Sequence, residues 1–126
     1  MNELVAIGLG GALGAVARHG VAHVCNLLFG TQFPYGTLVV NVVGSFLIGI
    51  LFVLLVERAL LPPVWRSVLI VGFLGAFTTF STFSLQTLAL FEEGRAGAAL
   101  VYVGASVIVC VLAAALGLAL ARQLPG

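Results

Sequence analysis

The run Val71-Gly-Phe-Leu-Gly-Ala-Phe-Thr-Thr-Phe-Ser-Thr-Phe-Ser-Leu-Gln-Thr87 decides the fold. It lies in a stretch without Asp, Glu, Lys or Arg that reaches from Ser67 to Phe91. That is long enough for one membrane-spanning helix, which needs about 20 apolar residues. Seven of the ten residues from Thr78 to Thr87 nevertheless carry a hydroxyl or an amide: Thr78, Thr79, Ser81, Thr82, Ser84, Gln86 and Thr87. A Ser or Thr can fold back on the i−4 carbonyl and bend a helix, which accounts for any one of them. Seven together, just after Gly72 and Gly75, predict a helix broken near its middle. Non-helical backbone at membrane depth is tolerated only where it is buried in protein or lines a cavity. Its freed carbonyls are hard ligands able to hold an alkali cation.

Two further charge-free stretches flank this one, from His19 to Val56 and from Ala96 to Ala121. The first is long enough for the end of one helix, a turn at Gly30-Thr-Gln-Phe-Pro-Tyr-Gly36 and a second helix, since Gly and Pro punctuate helices. The reading is an all-α membrane protein, a single four-helix membrane domain over residues 1–126, with spans at about 4–28, 37–57, 65–91 and 96–122. Pro62-Pro63 closes the second span, and Glu92-Glu93-Gly94-Arg95 separates the third from the fourth. Tyr35 and Trp65 fall at helix starts, where amphipathic rings favour the headgroup level.

Composition excludes several function classes. Of 126 residues, 62% are apolar and 7% charged, against roughly a quarter charged in a soluble domain, and the mean hydropathy is +1.27. A net charge of +1 offers no footprint for nucleic acid. There is no phosphate-loop motif, so no nucleotide is expected. Cys25 and Cys110 lie far apart in apolar stretches and read as small hydrophobes rather than a disulfide pair. His19 and His23 have a metal-capable i, i+4 spacing, but zinc needs at least three protein ligands and no partner is evident. The N-terminal Met-Asn-Glu lacks a basic n-region, so no cleavable signal peptide is expected. Arg58, Arg66 and Arg122 lie on the side of the termini and Arg95 on the other, a weak orientation bias that permits insertion both ways.

Four short helices leave little room for a water-filled path, so a transport protein of this size is expected to build its path with a second copy. Small residues let helices approach in lipid, and Gly10xxxGly14, Ser45xxxGly49 and Ala113xxxGly117xxxAla121 fit that pattern. The same motifs serve packing within one bundle equally well.

The polar groups inside the spans are the candidate site. Arg18 is the one charge away from the ends of a span, and intramembrane charges usually face water or a functional path, although snorkelling to the interface is the plainer alternative. Asn41 must find partners in lipid; it either ties two helices together or offers amide N–H groups to an anion. Phe73, Phe77, Phe80 and Phe83 form a stripe interleaved with hydroxyls, and a ring presents a positive edge that can face an anion. Tyr102, Ser106 and Cys110 recur at i, i+4 and i+8 on one face of the fourth helix, a ladder of donors.

Three segments carry a resemblance. Gly10-Gly-Ala-Leu-Gly-Ala-Val-Ala-Arg18, Gly36-Thr-Leu-Val-Val-Asn-Val-Val-Gly-Ser-Phe46 and Gly72-Phe-Leu-Gly-Ala-Phe-Thr-Thr-Phe-Ser-Thr-Phe-Ser84 resemble, in this order, the Fluc (CrcB) fluoride channels. The resemblance implies an antiparallel, dual-topology homodimer of four-helix subunits in the cell inner membrane, with two fluoride pathways and a structural Na+ at the dimer centre. It implies that backbone carbonyls of Gly75 and Thr78 hold the sodium. It places Asn41, Phe80, Phe83 and Thr82 on the fluoride path, Tyr102, Ser106 and Cys110 on a polar track, and Arg18 at a vestibule. Cys110 stands where a hydroxyl is expected, Gln86 where some members carry Glu, and His19 where an aromatic is usual. The expected activity is passive, fluoride-selective conduction that lowers cytoplasmic fluoride. The competing class is a small dual-topology drug/proton antiporter. That chemistry needs a membrane-embedded carboxylate, and every Glu here is terminal or in a predicted loop.

Overall fold

Asn2 starts the first helix: its side-chain oxygen accepts the Leu4 N–H at 2.7 Å, a cap for one of the donors a helix start leaves unpaired. The computed structural model describes residues 2–126. Helix α1 (Glu3–Phe29) stops at Gly30, whose φ of +78° is open to glycine and strained for other residues. Helix α2 (Tyr35–Leu51) begins ahead of the expected residue 37, because Pro34, which lacks an N–H, stands just before its first turn. It runs on as a π-helix, Phe52–Glu57. A second π-helix, Arg66–Leu74, opens the third span and leads into a short α-helical turn, α3 (Gly75–Phe77). Thr78 and Thr79 follow in extended backbone, with φ, ψ of −88°, 159° and −153°, 123°. Helix α4 (Phe80–Glu92) and, after Gly94 at φ +75°, helix α5 (Ala96–Arg122) complete the chain.

Among the described residues, four helical stretches are long and apolar enough to cross a membrane: Glu3–Phe29, Tyr35–Glu57, Arg66–Glu92 and Ala96–Arg122. Their outer faces present large apolar side chains such as Leu13, Val16, Leu85 and Val111. A soluble protein would bury these; lipid is the solvent that suits them.

The glycines decide how close the helices come. A Cβ on Gly10 or Gly14 would overlap the backbone carbonyls of Val68 and Phe73, so α1 lies directly on the π-helical half of the third span. A Cβ on Gly49 would overlap the Ala114 carbonyl, and one on Gly117 the Phe46 carbonyl, so α2 and α5 are equally close. The small-residue motifs left open by the sequence are therefore used between helices of one chain, which lets dispersion act where no hydrophobic force draws helices together.

Two buried clusters fill the bundle. Val40, Leu74 and Phe77 form one, and Phe83, Leu90, Ala99 and Tyr102 the other. At the end that holds the C-terminus, Arg122 makes a bidentate pair with Glu57 at 2.6 and 3.1 Å, and Arg66 donates to the Leu55 carbonyl at 2.9 Å. The latter bond satisfies a carbonyl near the end of the first π-helix. Arg95 donates to the Gln32 carbonyl, joining the loops before α2 and before α5.

Candidate functional site

The extended pair Thr78-Thr79 interrupts the helical hydrogen-bond ladder, and a backbone group without a partner at membrane depth is costly. The chain meets this locally. The Thr79 N–H donates to Asn41 Oδ1 at 2.8 Å, and Asn41 Nδ2 donates to the Thr79 carbonyl at 3.0 Å. One carboxamide thus pairs with both polar groups of one residue, across 38 positions of sequence. Of the two N–H groups on Asn41 Nδ2, one is spent on Thr79 and the second remains a donor. Arg18 Nε donates to the Ala76 carbonyl at 3.0 Å, placing a cation where α3 ends and its dipole is negative. Thr78 Oγ1 folds back to the Leu74 carbonyl at 2.9 Å. Thr79 Oγ1 accepts from the Thr82 N–H at 3.3 Å, which caps α4, and donates to Thr82 Oγ1 at 3.1 Å.

Two cavities adjoin this junction. An open cleft of about 490 Å³ is bordered by Asn41, Gly75, Thr78, Phe80 and Phe83, with Ser106 and Cys110 on the α5 side. A smaller cavity of about 230 Å³ is bordered by Arg18, His19, Thr37, Thr82 and Gln86. Thr79 borders both.

The two rings in the cleft differ. Phe80 is 76% exposed in this chain, whereas Phe83 is 8% exposed and packs on Tyr102 at a ring separation of 5.0 Å. Phe80 and Phe83 are 5.4 Å apart and tilted to one another. Ser106 is buried, and its Oγ has no hydrogen-bond partner among the described residues. Tyr102 borders neither cavity: it is fully buried, and its hydroxyl donates to Gln86 Oε1 at 2.8 Å. Of the hydroxyls in α4, Ser84 and Thr87 fold back on the carbonyls of Phe80 and Phe83 and have spent their donors.

Seven sequence-nominated residues thus share one cleft: Asn41, Gly75, Thr78, Phe80, Phe83, Ser106 and Cys110. Arg18 and Thr82 belong to the other cavity, and Tyr102 reaches it through Gln86. Thr79 links the two spaces, and the sequence does not set it apart from its polar neighbours. Its signal is a hydroxyl three residues before another hydroxyl at a helix start, concealed inside a polar run.

The sequence model described as CrcB-like protein, Camphor Resistance (CrcB), matches residues 5–118. The chain belongs to this family. Among curated relatives of this CrcB-like chain, a fluoride-specific ion channel FluC of Saccharophagus degradans is 48% identical over 120 residues, which are 95% of this chain and 90% of the relative. A protein of the same description from Coxiella burnetii is 49% identical over 125 residues, covering 98% of this chain and all of the relative. Another from Methylococcus capsulatus is 52% identical over 122 residues, covering 97% of this chain and 54% of that longer relative.

The CrcB-like chain holds no cluster of three or more His, Cys, Asp or Glu among the described residues, so a transition metal has no ligand set there. The backbone at Gly75 and Thr78 is a different matter. The Thr79 N–H that would close a helical turn on the Gly75 carbonyl is engaged by Asn41 instead. Thr78 is extended, and Gly75 is exposed on the cleft. These are neutral, hard oxygen donors of the kind an alkali cation takes.

Proposed function

We propose that this chain forms a fluoride-selective channel that lets fluoride leave the cytoplasm passively across the cell inner membrane. The observation that carries the reading is the unpartnered Ser106 hydroxyl, buried beside the cleft that also holds the remaining N–H of Asn41. A buried donor without an acceptor is unfavourable by about 1–3 kcal/mol, a penalty removed when an acceptor enters. A small anion is that acceptor. The identity of the anion follows from the FluC relatives, whose matches cover 95% and 98% of this chain.

Fluoride is small and tightly hydrated, and bringing it bare into a medium of low dielectric would cost tens of kcal/mol. Along this path the lost water is replaced piecemeal by neutral donors: Asn41 and Ser106, the weak Cys110 thiol, and the positive ring edges of Phe80 and Phe83. Neutral donors bind strongly enough to admit the ion and weakly enough to release it, which conduction requires. Arg18, in the smaller cavity, raises the local anion concentration.

The assembly we infer is an antiparallel, dual-topology homodimer whose third helix is broken at Thr78-Thr79. In support, Gly75, Phe80 and Ser81 are exposed at the interrupted part of a membrane span, and polar backbone there must be covered by protein or face a cavity. A second copy covers it and supplies the opposite wall. Gly75 and Thr78 carbonyls, two from each copy, would hold a sodium ion, whose chemistry is to tie four carbonyl dipoles together. Because the glycine motifs are occupied within the subunit, the copies meet through this polar seam.

The test is fluoride efflux from liposomes containing the purified protein, followed with a fluoride electrode. Electrogenic fluoride efflux without chloride efflux supports the reading; no fluoride efflux, or equal chloride efflux, overturns it. Replacing sodium by a larger cation should weaken the dimer on size-exclusion chromatography, and indifference to the cation removes the sodium site.

A further inference from the structure

His19 borders the smaller cavity, next in sequence to Arg18. Its imidazole is exposed and makes no hydrogen bond among the described residues. It also has no acidic partner there, the ion pairs being Arg95 with Glu93 and Arg122 with Glu57. A polar ring within a membrane span needs water or a partner, and the cavity is the space that brings it water. Gly36 and Thr37, in the first turn of α2, border the same cavity. The cavity therefore lies toward the end of the bundle that carries the loops at 30–34 and 93–95.

Formal charge at that end is balanced. It holds Arg18 and Arg95 against Glu92 and Glu93, two positive charges and two negative, while the other five lie toward the opposite end. Arg95 is further committed, to Glu93 at 3.8 Å and to the Gln32 carbonyl. An imidazole is the side chain whose charge ordinarily changes between pH 5 and 8. A proton on His19 thus tips a balanced end to positive, and does so at the cavity wall beside Arg18. A cleft lined by one sign of charge, with walls of low dielectric, concentrates the opposite ion.

We propose that His19 is a proton-controlled cation of the smaller cavity: neutral in mild base, it joins Arg18 on acidification and draws more fluoride into the cavity. This rests on the fluoride-channel reading and deepens it by a regulation of the same site. The ionisable groups around His19 are few. Arg18 and His23 are its neighbours on α1, and Cys25 is buried further along that helix. The walls from α2 and the third span are Gly36, Thr37, Val40, Thr79, Thr82 and Gln86, none of them ionisable. Tyr102 of α5 stands behind Gln86, Tyr35 begins α2, and Glu92, Glu93 and Arg95 belong to the loop end.

The experiment measures fluoride current through the full-length protein on a solid-supported membrane, because neutral hydrogen fluoride carries no current. Both sides are set to about pH 7.5 or about pH 5.5, across the range where an imidazole titrates. Sodium fluoride is kept in the range where current is proportional to its concentration, at an ionic strength of about 0.01 M, where screening is weak. The wild-type current should rise about twofold to tenfold on acidification, as one charge added about 10 Å from the ion gives in a medium between water and a protein surface. Sodium gluconate at about 1 M should remove most of that gain. His19→Gln should abolish it, His19→Arg should hold the higher current at both pH values, and His23→Gln should keep most of it.

A wild-type current that is flat or falls with acid overturns the proposal. So does a gain that survives in His19→Gln, that resists salt, or that is lost in His23→Gln alone. Should His19→Gln fail to fold, the His19→Arg currents and the salt dependence still decide, and a His19→Arg current that still rises with acid overturns the assignment. A wild type that carries no fluoride at either pH overturns the channel reading and this inference with it. A conducting wild type without an acid gain overturns this inference alone.

Discussion

Asn41→Asp changes one NH2 to an oxygen and almost nothing in shape, so its consequences can be worked through bond by bond. Asn41 now accepts from the Thr79 N–H at 2.8 Å and donates to the Thr79 carbonyl at 3.0 Å. Aspartate keeps the first bond, strengthened by charge, and loses the second. The Thr79 carbonyl is left without its donor, at about 1–3 kcal/mol. The second N–H, the one proposed to meet fluoride, is lost as well, and a hydrogen bond to an ion is worth about 1.5–3 kcal/mol. If only this last quantity falls on the conduction barrier, efflux drops about 10- to 150-fold, at 1.4 kcal/mol per decade. A negative charge within the span slows an anion further. The variant should still fold, since the Thr79 N–H keeps an acceptor and α4 keeps its Thr79 cap. The assay is fluoride-electrode efflux, with size-exclusion chromatography confirming the assembly. A folded Asn41→Asp protein that conducts within a factor of about two of the wild type would refute the donor role, since loss of such a bond is worth at least about tenfold.

Phe80→Ile should lower efflux with little change in thermal stability of the detergent-purified protein, because that ring is 76% exposed in the subunit. Phe83→Ile should lower efflux and also destabilise by about 1–3 kcal/mol, since the ring packs on Tyr102 in the core; equal melting of the two variants would contradict this division. Gly44→Ala drives a methyl into Thr78 Cγ2, displacing the hydroxyl that bonds the Leu74 carbonyl, so efflux should fall, and Thr78→Ser in the same chain should restore it by removing that methyl. Gly49→Ala meets backbone rather than a side chain at Ala114, has no such rescue, and should destabilise the subunit by about 1–3 kcal/mol in thermal unfolding.

The four spans were legible because lipid forbids charge, and the gaps between Arg and Glu residues mark where helices lie. The two π-helical stretches were not. Apolar residues along Phe52–Glu57 and Arg66–Leu74 do not record whether a carbonyl bonds four or five residues ahead. Asn41 stood out because an amide in lipid needs partners, but nothing in the sequence names Thr79 as the partner, since that pairing depends on how α2 and the third span meet. The spacing of Tyr102, Ser106 and Cys110 predicts one helical face. A helix advances about 100° per residue, so eight residues drift by about 80°. That drift leaves Ser106 and Cys110 at the cleft while Tyr102 turns into the core beside Phe83. The small-residue motifs are the converse case: their spacing is plain in the sequence, and only the close approach to Val68, Phe73 and Ala114 shows which surfaces they serve.

Thr79 stands as a partition between two chambers, and its main chain is pinned on both sides by Asn41. Such a partition does not swing open as a hinged flap would. Its hydroxyl oxygen is held by the Thr82 N–H, and what can still turn is the hydroxyl proton, between Thr82 Oγ1 at 3.1 Å and Ser81 Oγ at 3.5 Å, a torsion that relaxes in picoseconds to nanoseconds. An ion handed from one chamber to the other would wait on a rotor, not on a door.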